Sequence, residues 1–309
     1  MPATSAPALP SDLTTRPLTI DDSRAVWELM AAQELHDVGS VEIEEADLVG
    51  DWQRPSCDLS ASSIAVLDGD LIVAYAELDG KDRYDAAVLP SHRGRGIGTW
   101  LAAWIRDLAA SRGSTIVGMP VPEGSAGDVL LESLGYHVRW TSWVLRLDEG
   151  ERIAERPLPE GYALREATDA DREQVWTVVE DAFLEWSDRE RQSLEDFTAQ
   201  VWDRPGFEPW HLQVITGPAG DVAGVAFVWN TAGEDGGPKD TYVDRLAVAR
   251  EHRNRGLAQS LLVAAFAAGR EHGAVTSSLS TDSRTGALSL YEKVGMRPSS
   301  TWVHRAINL

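Results

Sequence analysis

His92-Arg-Gly-Arg-Gly-Ile-Gly-Thr-Trp-Leu101 returns later in the chain as His252-Arg-Asn-Arg-Gly-Leu-Ala-Gln-Ser-Leu261, five of ten positions being identical at an offset of 160. The same offset joins Gly113 to Gly273, Leu130 to Leu290, Glu132 to Glu292 and Gly135 to Gly295. Nearer the start of each half, Arg16, Thr19, Asp22 and Trp27 face Arg165, Thr168, Asp171 and Trp176 at an offset of 149. The difference between the offsets is an insertion in the second half, most of it falling in the turn-rich run 231–240. Self-similarity at one long period marks a tandem duplication.

The duplication sets the expected organisation: a flexible Pro/Ala/Ser tail over 1–13, a first module over 14–147, a charged linker over 148–159 carrying Pro157 and Pro159, and a second module over 160–309. In the second module, Tyr162–Arg165 reads as a short strand and Asp169–Phe183 as an amphipathic helix with acidic residues at its start. His211–Thr216 and Val222–Trp229 flank a Gly-Pro turn and read as a hairpin, followed by a strand at Tyr242–Val248. A basic, Gly-containing loop leads into a helix over Leu257–His272, stopped by Gly273. A strand at Val275–Ser280, a helix at Thr285–Val294 and a last strand at Ser300–Ile307 complete it. The first module repeats this order through Ser63–Leu67, Leu71–Glu77, Tyr84–Val88, the helix Ile97–Arg112 and the strand Tyr136–Leu147. Each half is therefore α/β with a mixed sheet.

Composition narrows the function. The 309 residues carry 28 Lys and Arg against 49 Asp and Glu, a formal charge of −21. Phosphate-backbone and anionic-membrane partners need clustered cations, so nucleic acid and membrane are not expected. No stretch reaches the ~18 apolar residues of a membrane span, and no basic, apolar leader begins the chain. The single Cys57 suits a reducing cytoplasm and reads as an ordinary surface thiol in a polar loop. The histidines have no metal-ligand spacing, so no metal is expected, and no Gly-x-Ser-x-Gly elbow supports a hydrolase.

The chemistry lies in the glycine loops. Arg253, Asn254, Arg255, Gly256, Leu257 and Ala258 follow a strand and open a helix. Small residues let a ligand approach the backbone, and the first-turn N–H groups point outward without partners. That combination binds phosphate. Arg93, Gly94, Arg95, Gly96 and Gly98 build the same loop in the first half. The glycine spacing fits neither a dinucleotide fingerprint nor a Walker loop. It resembles the pyrophosphate loop of the GNAT-type N-acetyltransferase superfamily, Arg/Gln-x-x-Gly-x-Gly/Ala. The run Thr285-Gly-Ala-Leu-Ser-Leu-Tyr291-Glu-Lys-Val-Gly295 looks like the helix before that family's last strand. The resemblance spans nearly the whole chain as two consecutive modules, each implying a strongly twisted sheet splayed around acetyl-CoA.

The resemblance implies roles residue by residue. Loop amides 254–259 would hold the pyrophosphate, and the backbone at Ala247 and Val248 would polarise the thioester carbonyl. Tyr291 would be the acid toward the departing thiolate, a feasible transfer from a phenol of pKa ~10. Ser283 stands where many relatives have Asn, and Leu131 replaces the Tyr in the first half, which leaves that half degenerate and the second catalytic. Asp244 is the nearest carboxylate for a general base, with Glu185 a weaker one; an Asp244–Arg245 surface pair is the competing reading. The segment from Phe183 to Trp210 mixes rings with acids, so it either lines a cleft for a cationic acceptor or packs the core. His92 and His252 read as solvated loop residues.

Acetyl transfer from acetyl-CoA to a primary amine, a small molecule or a lysine side chain, is the expected reaction. Mycothiol synthase, another tandem member of the superfamily, offers the alternative of acetylating a small amino-sugar thiol precursor. A non-catalytic acyl-CoA sensor is the alternative from a different class.

Overall fold

The computed structural model describes residues 8–231 and 239–309. Residues 1–7 of the expected tail, and 232–238 of the expected insertion, lie outside the described residues. The chain divides into two compact units, the first comprising residues up to Ser142 together with Thr301–Leu309, the second Trp143–Ser300.

The first unit runs β1 (Thr14–Arg16), α1 (Ser23–Val38), α2 (Glu45–Trp52), α3 (Leu59–Ser62), β2 (Ser63–Asp68), β3 (Leu71–Asp79), β4 (Arg83–Val88), α4 (Ile97–Ser111), β5 (Ile116–Pro122), α5 (Ala126–Ser133) and the start of β6 (His137–Leu147). Strands β1 to β4 pair antiparallel in chain order, and β4 meets β5 in parallel. The next place beside β5 is taken by the end of the chain: β12 (Arg297–Asn308) pairs antiparallel with it from Trp302↔Pro122 to Asn308↔Ile116. Gly118 permits this, since a Cβ there would lie 2.4 Å from the Arg305 carbonyl oxygen. Arg305 is anchored by Asp128, its Nε donating to Oδ1 over 2.6 Å, and Trp140 stacks on His304 at 3.7 Å. Module boundaries at 147 and 309 thus miss an exchange of the closing strands. Leu13 is buried and Asp12 pairs with Arg95, so the packed chain also begins before residue 14.

The second unit contains the rest of β6, then β7 (Ala163–Glu166), α6 (Arg172–Phe183), α7 (Leu194–Val201), β8 (Leu212–Thr216), β9 (Val222–Thr231), β10 (Lys239–Val248), α8 (Leu257–Glu271), β11 (Ala274–Asp282), α9 (Leu288–Lys293) and the start of β12. Its strand order is β6-β11-β10-β9-β8-β7. Apolar side chains of α8 (Leu257, Leu261, Leu262, Ala265 and Phe266) pack one face of this sheet. Val175, Val178 and Val179 of α6, with Phe197 of α7, cover another cluster.

The repeat at offset 149 has a structural cause. Arg16 grips Asp22 and Arg165 grips Asp171, each at 2.7 Å, and those carboxylates accept the Thr19 and Thr168 amides at 2.8 Å. The arginine hydrogen bonds hold both carboxyls below the ordinary range. Trp27 and Trp176 then donate Nε1 to the carbonyls of Ile43 and Gln192. All four matched pairs anchor the first long helix of a unit.

Cys57 departs from the expected surface thiol. It is half-buried beside Glu77, and burial pushes its thiol up to about 12, which makes it inert. Burial likewise pushes Glu34 and Glu77 up to about 7. A carboxyl whose folded pKa exceeds its unfolded value of ~4.3 holds more protons when native, so stability falls as pH rises across that window. The melting temperature should therefore be higher at about pH 6.5 than at about pH 8, and Glu77→Gln should flatten that change. An identical pH response in the variant would show that Glu77 does not titrate there.

Candidate active site

Strand β10 pairs in parallel with β11 from Lys239 to Val243 and then leaves it, while its antiparallel ladder with β9 continues to Val248. The register with β9 slips between Val243 and Arg245, placing a bulge at Asp244. Bulges re-aim a strand, and here the edge from Asp244 to Val248 is left open on the β11 side. The Ala249 amide donates to the Ala223 carbonyl on β9 at 3.0 Å. Antiparallel alternation turns the Ala247 amide to that same ladder and the Val248 amide outward. Of the two amides expected to face a thioester, only that of Val248 points to the open edge.

The first unit has the same parting, β4 and β5 sharing a single parallel pair at Arg83↔Gly118. Its ladder with β3 runs without a bulge. The amide of Val88, the counterpart of Val248, is occupied: it donates to Gln33 Oε1 over 3.1 Å. Gln33 on α1 corresponds to Ala182 on α6, which has no polar side chain. The two open edges are therefore not equivalent.

Beyond β10 the loop folds as its composition requires. Gly256 (φ 83°) caps α8 in the left-handed region, as Gly96 (φ 83°) caps α4. Asn254 takes φ 62° where the first loop has Gly94 at 76°, and Asn tolerates that region better than most residues. The Ser260 amide is the first in α8 to find an intrahelical acceptor, Gly256 O, so the amides before it face outward at the positive end of a 15-residue helix. Leu257 is buried and fixes the helix to the core, and Ala258 holds the place of Gly98.

The first arginine of each loop is a brace. Arg253 donates Nε to the Val248 carbonyl at 3.0 Å and pairs with both oxygens of Glu185 at 2.7 and 3.0 Å. Arg93 does the same with the Val88 carbonyl and both oxygens of Asp37. This consumes Glu185, whose carboxyl the Arg253 hydrogen bond holds below its ordinary range, and it is no free base. The histidines are braces too, correcting their reading as solvated. His252 joins Tyr162 Oη (2.8 Å) to Asp221 Oδ2 (3.0 Å), and His92 joins Ser91 to Asp68, each pinning a loop to a hairpin turn. Arg95 pairs with Asp12, whereas among the described residues Arg255 lies over the Tyr162 ring at 6.0 Å and has no carboxylate partner.

Asp244 accepts Arg245 Nε at Oδ2 over 3.0 Å, the surface pair weighed from sequence, and Arg245 continues to Gln200 and over Phe197. Asp244 Oδ1 has no partner among the described residues. Tyr291 on α9 packs against the apolar cluster that also receives Leu246 and Val248 and contains Leu257. Burial pushes its phenol up to about 12. Leu131, in the corresponding place on α5, is buried core. Ser283 stands in the β11–α9 turn, between Asp282 and Arg284, which pair at 2.5 Å.

The aromatic segment divides. Phe197, Trp202 and Trp210 are buried, and Trp210 stacks on His272 at 4.1 Å, so core packing is their role. The sequence reading missed α7, whose apolar face carries Phe197 inward. Phe183 and Trp186 remain near the surface, and the Arg284 guanidinium lies 4.8 Å over Trp186. Among the described residues, no three His, Cys, Asp or Glu side chains cluster as a metal site, and no helix is long and apolar enough to cross a membrane.

Comparison with known proteins agrees with this geometry. The family described as Acetyltransferase (GNAT) family matches residues 25–123 and again 172–296. Mycothiol acetyltransferase of Nocardia farcinica is 27% identical over 301 residues, covering 95% of this chain and 97% of that protein. Mycothiol acetyltransferase of Salinispora arenicola is 28% identical over 78% of this chain and 80% of its own length. Among solved structures, a GCN5-related N-acetyltransferase from Sphaerobacter thermophilus aligns with a TM-score of 0.72 at 24% identity, covering 97% of both chains. A tandem GNAT protein from the clavulanic acid biosynthesis pathway aligns with a TM-score of 0.72 at 20% identity, over 96% of this chain and 98% of that one. Matched once in each half, the chain belongs to the GNAT acetyltransferase family and is a tandem, acyl-CoA-dependent member of it.

Proposed function

We propose that the chain moves an acetyl group from acetyl-CoA to a primary amine by direct attack in a ternary complex, with the chemistry in the second unit. The observation that carries this reading is the bulged, open edge of β10, whose Val248 amide has no partner among the described residues and lies beside an outward-facing glycine loop. In this reading the amides of residues 254–259 hold the diphosphate. Val248 N–H donates to the thioester carbonyl oxygen, where an oriented donor is worth about 3 kcal/mol. Tyr291 delivers its proton to the departing sulfur and recovers one from the attacking nitrogen, directly or through solvent, as the amide forms. Asp244, through its free Oδ1, takes a proton from the ammonium, which at pKa ~10.4 is almost wholly charged at neutral pH. In the first unit Gln33 and Leu131 stand where the donor amide and the acid would be needed, which suits a module that has kept its loop but not its chemistry.

A cationic amine is the acceptor favoured by the charge of −21. Thiol release from acetyl-CoA with a panel of amines tests the reading. Turnover with a polyamine, an aminoglycoside-like amine or a lysine peptide should fall as salt rises, because steering is screened beyond ~8 Å at physiological ionic strength. An exclusive preference for neutral or anionic acceptors would overturn the cationic assignment. A second reading, acetylation of a small amino-sugar thiol precursor, is favoured by the full-length similarity to mycothiol acetyltransferases, and that substrate belongs in the same panel.

A further inference from the structure

The linker lies on the second glycine loop. Ile153 is buried in the α8 cluster, the Ala154 carbonyl accepts Gln259 Nε2 over 2.7 Å, and the Arg156 carbonyl accepts Ser260 Oγ over 3.3 Å. These contacts carry the Arg156 side chain across Gly256: a Cβ on that glycine would lie 2.5 Å from Arg156 Cδ and Nε and 2.8 Å from Cζ. Around Gly96 in the first loop, the same construction meets nothing within 4 Å.

The electrostatics of this placement are unbalanced. Arg156 has no carboxylate partner among the described residues, and neither has Arg255, although acids outnumber bases 49 to 28. In the first loop both arginines are paired, Arg93 with Asp37 and Arg95 with Asp12. Two exposed guanidiniums without a carboxylate partner at the positive end of a helix favour an anion there. A diphosphate would supply it, and a guanidinium fork matches phosphate geometry.

We infer that Arg156 is a ligand of the acyl-CoA diphosphate at the second loop, a binding residue contributed by the inter-module linker. The assignment rests on the proposed acetyl transfer in the second unit and extends it. The backbone bonds and Ile153, not the guanidinium, hold the linker down, so truncating Arg156 leaves its path intact. Arg156→Ala should raise KM for acetyl-CoA, and for acetyl-dephospho-CoA, roughly tenfold or more, the loss of a hydrogen bond to a charged group. kcat should stay within ~threefold, as for lost uniform binding. KM for S-acetylpantetheine, which lacks the diphosphate, should not change, and Arg156→Lys should recover part of the affinity. An unchanged KM for acetyl-CoA overturns the assignment. So does a lowered one, which would make the linker an occluding strap, and so does an equal loss with S-acetylpantetheine, which would make Arg156 structural. No turnover of acetyl-CoA by the unaltered protein would instead sink the acetyl-transfer reading itself.

Discussion

Tyr291→Phe should lower kcat by ~10²–10⁴, the contribution typical of a positioned acid, with little change in acetyl-CoA affinity. The ring keeps its packing against the second unit's core cluster, so the variant removes one hydroxyl and no apolar contact. Burial pushes this phenol up to about 12, so it stays protonated across the whole assay range. A raised phenol pKa preserves the acid, although it weakens the drive for transfer to a thiolate. The pH–rate profile below about pH 11 should therefore show no limb from Tyr291 and should change only in height in Tyr291→Phe. Leu131 offers the internal comparison. Leu131→Phe, at the matching place in the first unit, should disturb packing and leave turnover. Full activity in Tyr291→Phe, with none in Gly96→Val, would move the chemistry to the first unit.

What was legible in sequence was whatever repeats or punctuates. The two glycine loops set the α4 and α8 starts to the residue, because only Gly or Asn accepts the left-handed turns that aim the amides. The hairpin β8–β9 was legible from its Gly-Pro turn. The exchange of closing strands was not, since β6 and β12 read alike and nothing local says which neighbour each will take. Gly118 was its one trace, a small residue inside a strand where another backbone comes close. The bracing role of the first arginine of each loop is hidden from sequence for a related reason. Charge beside a phosphate loop suggests a ligand, yet Arg93 and Arg253 spend their forks on Asp37 and Glu185, residues 56 and 68 positions away. Arg156, which lies on the loop, sits in a linker that composition marks only as charged. Gln33 was equally silent, because its meaning depends on which strand amide an α1 side chain reaches.

That silence makes Gln33 the basis of the other large prediction. The Val248 amide faces the open edge of β10, so Val248→Pro removes the proposed carbonyl donor without breaking a bond to β9. Loss of one such donor costs ~10²–10³ in kcat. Binding of acetyl-CoA, followed by its effect on the melting curve, should persist, because the proposed diphosphate loop begins five residues further on. Val88→Pro is the matched control: its amide already belongs to Gln33, so turnover should change little. Ala182→Gln is a gentler route to the same end, since it carries the first unit's capping side chain to the equivalent turn of α6. A carboxamide there would compete for the Val248 amide as Gln33 does for Val88, lowering kcat while keeping the strand intact. If Val248→Pro folds, binds acetyl-CoA and keeps more than about a tenth of its kcat, the donor lies elsewhere. If Ala182→Gln is also fully active, the difference between the two edges has no catalytic meaning, and the case for chemistry in the second unit falls back on Tyr291 alone.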